Sequence, residues 1–153
     1  MVSKILLPSD GSETAQKAVE YAIELAKQLN ASITILSVVD RRSIIAQTVP
    51  AEDTALNVAE PVEDYLRRAA EEFVESIKYM CDYNGIRSES VIRTGHPVED
   101  IVEEAKKSRA DLIIMGSHGR SALAAAVLGS VTYGVIHNET DVPVLIVRRA
   151  GKQ

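Results

Sequence analysis

The sequence predicts a doubly wound α/β fold built on a five-stranded parallel sheet. Two observations carry this. Short apolar runs alternate with helical periods in the order βαβαβαβαβ. The runs are also continuously apolar rather than alternating, as in strands covered on both faces. Right-handed crossovers then place helices on both sides of the sheet, which must reverse direction at one point. Ligands in such sheets bind beyond the carboxyl ends of the strands at that reversal.

"KILLP" is the first strand, ended by the turn cluster "SDGS". From Glu13 to Leu29 the residues Ala15, Ala18, Val19, Ala22, Leu25, Ala26 and Leu29 recur every three or four positions. This is an amphipathic helix, with Ser12 as N-cap and Glu13 favourable in the first turn. "SITILSVV", Ser32 to Val39, is a second strand rich in β-branched residues. Asp40 to Glu60 has no clean period and reads as a long loop, a kind of segment that tends to carry function. Pro61 starts a helix through about Tyr83 with a core stripe of Leu66, Ala69, Phe73, Ile77 and Met80, stopped by Gly85. Cys81 lies beside that stripe as a small buried hydrophobe. "SESVIRTG" is the third strand, "HPVEDIVEEAKKS" the third helix with Pro97 near its first position, and "DLIIM" the fourth strand. Helix resumes from Ser130 to Asn138, and "VPVLIVRR" is the fifth strand.

The 153 residues fit one domain, 1–153, large enough for a proper core. A formal charge of −5 offers no basic footprint for nucleic acid. No run approaches a membrane span or a signal-peptide core, and one cysteine permits no internal disulfide. The expectation is a cytoplasmic protein.

The stretch "MGSHGRSALAAAVLGSVT", Met115 to Thr132, follows the fourth strand, where the crevice would form. Gly116 and Gly119 leave backbone amides uncovered by side chains. Gly129 and Ser130 stand before a helix whose first amides lack internal partners. Those amides, the hydroxyls of Ser130 and Thr132 and the helix dipole make an anion seat. On local physics an equally good reading is purely structural: Gly116 as a strand-to-helix turn, Gly129 as a helix stop and Ser130 as an N-cap. Neither a P-loop nor the dinucleotide G-x-G-x-x-G is present.

The chain resembles the ATP-binding branch of the universal stress protein family. That family's motif is G, two residues, G, nine residues, then G followed by Ser or Thr; it is complete here in Gly116, Gly119, Gly129 and Ser130. "KILLPSDGSE", "ILSVVD", "GHPVEDIVEEA" and "PVLIVRR" extend the resemblance over nearly the whole chain, Asp40 to Glu60 excepted.

The resemblance implies a Rossmann-like, adenine-nucleotide-binding sheet of order 3-2-1-4-5, with the nucleotide between the ends of the first and fourth strands. It implies that Gly119, Gly129, Ser130, Val131 and Thr132 hold the phosphates through amides and the two hydroxyls. Met115 and Gly116 would flank the ribose and base, with Pro8, Ser9 and Asp10 on the opposite wall. Ionised Asp10 only accepts hydrogen bonds, so it would meet ribose hydroxyls or the adenine amino group; on local grounds it caps the first helix. Val38 would offer its backbone to the adenine edge, although from the sequence alone it is core.

Arg120 could reach a terminal phosphate. His118 reads as a solvated loop histidine without a catalytic role. The dispersed histidines give no zinc spacing, so any metal would be Mg²⁺ riding on ATP phosphates.

The implied function is an ATP-binding regulatory or stress-response switch with slow or no hydrolysis and an unidentified protein partner. The alternatives are a genuine ATPase or nucleotide-transferring enzyme using Asp10, His118 or Arg120, and a nucleotide-free scaffold. A two-component receiver ranks low, because "ILLPSDGS" carries only one acid. Under the implied order, Val142 to Arg148 forms an apolar edge strand suited to pairing across a two-fold axis in a homodimer.

Overall fold

A computed structural model describes residues 1–48, 55–118, 128–139 and 141–148. The strands β1 (Lys4–Pro8), β2 (Ser32–Asp40), β3 (Ser88–Gly95), β4 (Leu112–Gly116) and β5 (Val144–Val147) form one sheet. Its order is β3-β2-β1-β4-β5, and every neighbouring pair is parallel. The helices are α1 (Glu13–Leu29), α2 (Arg41–Thr48), α3 (Ala55–Tyr83), α4 (Pro97–Lys107) and α5 (Ser130–Asn138). None among the described residues is long and apolar enough to cross a membrane.

The sheet divides the core. Ile5 and Leu7 of β1 and Ile114 of β4 face α1 and α3, meeting Val19, Ala22 and Ile77. Leu6 and Ile113 point the other way, onto Ile101 and Ala105 of α4 and Val135 of α5. All five residues of β4 are buried, as are four of the five in β1. Each large aliphatic side chain removed from water in this way stabilises the fold by about 1.5–3 kcal/mol. The central pair is therefore the firmest part of the molecule, and the loops leaving its carboxyl ends stand on a rigid base. The edge strands β3 and β5 are only partly covered.

The expected boundaries of β1, α1, β3 and α5 are met to the residue. The hydroxyl oxygen of Ser12 accepts the Ala15 amide at 3.2 Å, which makes Ser12 the N-cap of α1. Gly85, at φ 71°, ends the run of α3. Its left-handed backbone lets the Ile86 amide reach back to the Cys81 carbonyl at 2.8 Å.

Three readings need correction. The long loop expected at Asp40 to Glu60 is partly helical: α2 occupies Arg41–Thr48, and α3 begins at Ala55 rather than at Pro61. Pro61 lies inside α3 and removes one intrahelical bond. Just beyond it, Val62 and Leu66 pack on a small cluster of Val39, Ile44 and Ala70, which holds α2 and α3 together.

The buried stripe of α3 is also rotated by about one residue. Ala70, Val74, Ile77 and Cys81 are its deepest positions, while Phe73 and Met80 are partly buried. Cys81 is thus central to the stripe rather than beside it, and burial pushes its thiol pKa up. Finally, β5 is shorter than Val142 to Arg148; pairing with β4 runs from Val144 to Val147.

Candidate functional site

Strand order places the reversal between β1 and β4. From β1 the chain moves to β2 on one side, and from β4 to β5 on the other. The helices that follow, α1 and α5, lie on opposite faces. Their amino termini therefore both start at the carboxyl edge of the sheet, with the crevice between them.

Residue lengths give the crevice its depth. Pro8, the last residue of β1, pairs with Leu36, and the Ser9 amide still reaches the Leu36 carbonyl at 2.9 Å. β2 continues to Asp40, held by β3 as far as Gly95. The four residues of β2 that have no β1 neighbour rise about 13 Å above the end of β1. This step forms one wall. Val38 lies on it, partly buried, with its side chain packed against the α4–α5 side of the core. Asp40 caps the wall: its carboxylate accepts the Arg42 amide at 2.9 Å and pairs with the Arg42 guanidinium at 3.1 Å.

The floor is the turn after β1. Pro8 and Ser9 are buried, and Asp10 is half-buried. The Asp10 carboxylate accepts the Ser12 amide at 2.9 Å, and the Ser9 hydroxyl accepts the Gly11 amide at 3.3 Å. Gly11 has φ 76°, the left-handed conformation a side chain would strain. Asp10 therefore shapes the approach to α1, while Ser12 is the cap itself.

The opposite wall is the junction of β4 and α5. Met115 is buried on the α4–α5 side. Gly116 is explained by packing: a Cβ there would lie 3.0 Å from Thr14 Cγ2 and 3.1 Å from the Thr14 carbonyl oxygen. Only a bare backbone lets the first turn of α1 approach the end of β4 so closely. The Ser117 amide donates to the Val147 carbonyl at 3.0 Å, and the Ser117 carbonyl accepts the Gly129 amide at 2.8 Å. Gly119 and Arg120 lie outside the described residues.

Gly129, not Ser130, is the N-cap of α5, and Ser130, Val131 and Thr132 are its first three helical residues. The first intrahelical bond runs from the Tyr133 amide to the Gly129 carbonyl at 2.9 Å. The amides of Ser130, Val131 and Thr132 therefore have no partner within the helix, and they carry the positive end of its dipole. Ser130 is exposed. Thr132 is buried, and its hydroxyl donates to the Gly116 carbonyl at 2.8 Å. That hydroxyl has its one hydrogen committed, so toward an anion Thr132 can offer only its amide.

One group departs from expectation. His118, read as a solvated loop residue, is buried at 6% exposure, and its Nδ1 lies 2.9 Å from the Ser117 hydroxyl. The only sequence signal was its position two residues beyond a fully apolar strand. The contact of Thr14 with Gly116 carried no such signal.

The arrangement as a whole is a polar crevice with amide donors on one wall, a carboxylate near its floor and peptide edges opposite. Comparison with known proteins agrees with this architecture. The universal stress protein family profile matches residues 1–148. Universal stress protein MJ0531 of Methanocaldococcus jannaschii is 33% identical over 153 residues, spanning 100% of this chain and 86% of that one. Universal stress protein MJ0577 of the same organism is 36% identical over 160 residues, spanning 97% and 96%. The solved structure of MJ0577 superposes with a TM-score of 0.85 at 33% identity, covering 99% of each chain. A universal stress protein family member from Arabidopsis thaliana, solved with AMP bound, shares the fold at 19% identity. Its TM-score is 0.65, over 97% of this chain and 93% of its own. The chain belongs to the universal stress protein family.

Proposed function

We propose that this protein binds ATP, or another adenine nucleotide, with Mg²⁺ carried on the phosphates, and acts as a nucleotide-dependent regulatory switch in the stress response. The observation that carries the reading is that the first amides of α5, which have no partner within the helix, start at the sheet reversal where β2 outruns β1. The complete glycine motif adds to it, as does the AMP found with a protein of the same fold. In this reading the amides of Ser130, Val131 and Thr132, beside Gly129, take the phosphates. Met115 and Gly116 flank the sugar and base, the Val38 backbone meets the adenine edge, and Asp10, supported by Pro8 and Ser9, accepts from the ribose. Gly119 and Arg120 complete the phosphate seat. Amides and hydroxyls hold phosphates, whereas rapid hydrolysis also needs a positioned water and stabilisation of developing charge. Turnover is accordingly slow or absent.

The same reading makes the chain a single domain of the cytoplasm that pairs through the β5 edge into a homodimer. A monomer by light scattering at micromolar concentration would refute the pairing. A protein partner would recognise the nucleotide-dependent surface.

The deciding experiment is the thermal midpoint with Mg²⁺ and millimolar ATP, GTP or neither, with Gly129→Val in parallel. Ligand at a hundred times its Kd adds about 2.7 kcal/mol, or roughly 5–10 °C for a chain of this size. Gly129 has φ −62°, which any residue adopts, so valine there covers the amides without straining the backbone. A shift with ATP, smaller with GTP and lost in the variant, is expected. No shift with nucleotide-free protein would refute the reading.

A further inference from the structure

We propose that the outward face of α3 is a docking surface for a basic helix of a partner protein, whose guanidinium groups lie over Tyr79 and Tyr83 and pair with Glu72 and Glu75. These residues stand in the last turns of α3, which lead through Gly85 to the start of β3 at the amino edge of the sheet. The crevice lies at the other edge, so the inference does not rest on the nucleotide reading.

α3 sorts its charged side chains by side. Its buried stripe of Ala70, Val74, Ile77 and Cys81 faces the core. On the flank of that stripe, the Arg67 guanidinium donates to the Thr94 hydroxyl oxygen at 3.3 Å and to the Ile92 carbonyl at 3.4 Å. The Lys78 ammonium donates to the Ser88 carbonyl at 3.0 Å. The Arg87 carbonyl accepts the Ile33 amide of β2, so the carbonyls of Ser88 and Ile92 point to the open edge of β3. Both bases are thus committed to covering that edge.

What remains outward is aromatic and acidic. Tyr65, Tyr79 and Tyr83, three of the chain's five tyrosines, are 70%, 70% and 82% exposed. At about 100° per residue they fall within about 40° of one another, opposite the buried stripe. On the same face Arg68, Glu71, Glu72, Glu75, Ser76 and Tyr79 line an open hollow. All six are exposed, and three carboxylates there outnumber a single guanidinium. None of those carboxylates forms an ion pair with another of the described residues.

Spacing, charge and aromaticity together select the occupant. The hollow's residues recur at i, i+3, i+4, i+7, i+8 and i+11, the pattern of a face on which another helix packs. Its length, about 16 Å, matches three turns of a partner helix. Excess carboxylate repels a second copy of the same face, nucleic acid and an anionic membrane, and it attracts a basic segment. Exposed ion pairs contribute little each, so the affinity has to come from the rings. Tyrosine covers a large area while fixing only two side-chain angles, and its face takes a guanidinium. The carboxylates set orientation and the speed of encounter.

The probe is an alanine-based helical peptide of about 20 residues with arginine at every fourth position, which at about 30 Å spans Tyr65 to Tyr83. Its counterpart has glutamate in place of arginine. Calorimetry compares wild type, Tyr79→Ala with Tyr83→Ala, and Glu72→Lys with Glu75→Lys. A charge-matched control, Glu20→Lys with Glu24→Lys, alters the exposed side of α1 instead. Wild type should bind the arginine peptide and not the glutamate peptide. Affinity should fall about tenfold or more in each α3 variant and stay within about threefold in the control. A tyrosine variant that binds like wild type, or equal losses in the two charge variants, would overturn the proposal. So would self-association of wild type that the tyrosine variant abolishes, since a second copy would then occupy the face.

A second measurement does not depend on any variant folding. In wild-type protein, the backbone amide signals of α3 are followed by NMR as the arginine peptide is added. Shifts centred on Arg68 to Tyr79 support the docking face; shifts centred elsewhere, or none, overturn it.

Discussion

Gly116→Ala tests whether the crevice is built on a close approach of α1 to β4. The new Cβ would sit 3.0, 3.1 and 3.2 Å from Thr14 Cγ2, carbonyl oxygen and carbonyl carbon, where ordinary contact begins at 3.4 Å. Two of those atoms are backbone, and Thr14 is 4% exposed, so a rotamer change cannot clear the clash. The first turn of α1 must retreat by a few tenths of an ångström, away from a core it shares through Ala15 and Ala18. Overpacking of this kind costs about 1–3 kcal/mol. Gly116 does not have a positive φ. Alanine therefore adds no backbone strain there, and it recovers about 0.4–1 kcal/mol by restricting the unfolded chain. Taking the middle of each range, about 2 less about 0.7, the net destabilisation is about 1.3 kcal/mol, a drop of roughly 3–5 °C in Tm.

Urea unfolding followed by far-UV circular dichroism, with calorimetry alongside, reads the change. Adding Thr14→Ser removes the 3.0 Å contact but leaves the two backbone contacts, so it should recover only part of the loss. An alanine variant as stable as wild type, with an unchanged m-value, would refute the tight approach and the packing account of Gly116.

Two further outcomes follow from hydrogen bonds at the starts of β1 and α1. The Asp111 carboxylate accepts the Ser3 amide and hydroxyl, both at 2.9 Å, and the Lys4 amide at 3.0 Å, which clips the start of β1 to the start of β4. The Ser3 and Lys4 donors hold its pKa below the usual carboxylate value. A folded-state pKa below the unfolded one means the clip stabilises fully above the unfolded value and fades as pH falls through the folded one. Wild type should therefore exceed Asp111→Asn in unfolding free energy at neutral pH, by a margin that narrows on acidification. Parallel pH profiles would contradict this. Ser12→Ala removes the acceptor of the Ala15 amide and should cost about 1 kcal/mol in urea unfolding, within a range of 0.5–2. A loss smaller than the error of the measurement would show that the Ala15 amide finds another partner.

Much of this protein is written locally. The strands "KILLP" and "DLIIM" announce themselves as continuous apolar runs because both their faces are covered, and a strand with no polar face leaves no other reading. α1 is legible from end to end because Ser12 caps it and its small apolar residues keep the helical period. The Gly129–Ser130 junction is legible as a helix start, although which of the two is the cap depends on backbone angles that no composition reveals.

Other features exist only in the assembled chain. α2 has weak periodicity of its own and is held where Ile44 meets Val39 and Ala70 across two other elements. The face that α3 buries is set by the surface it lands on, so the stripe turned toward Val74 and Cys81 although Phe73 and Met80 looked as apolar in the sequence. The crevice has the same origin. β2 outruns β1, Thr14 closes on Gly116, and His118 is buried beside Ser117. Periodicity, caps and turns act between residues a few positions apart, so they can be read before the chain is folded. Thr14 and Gly116 are 102 positions apart in the chain; only packing brings them within contact, and packing decides which face is buried.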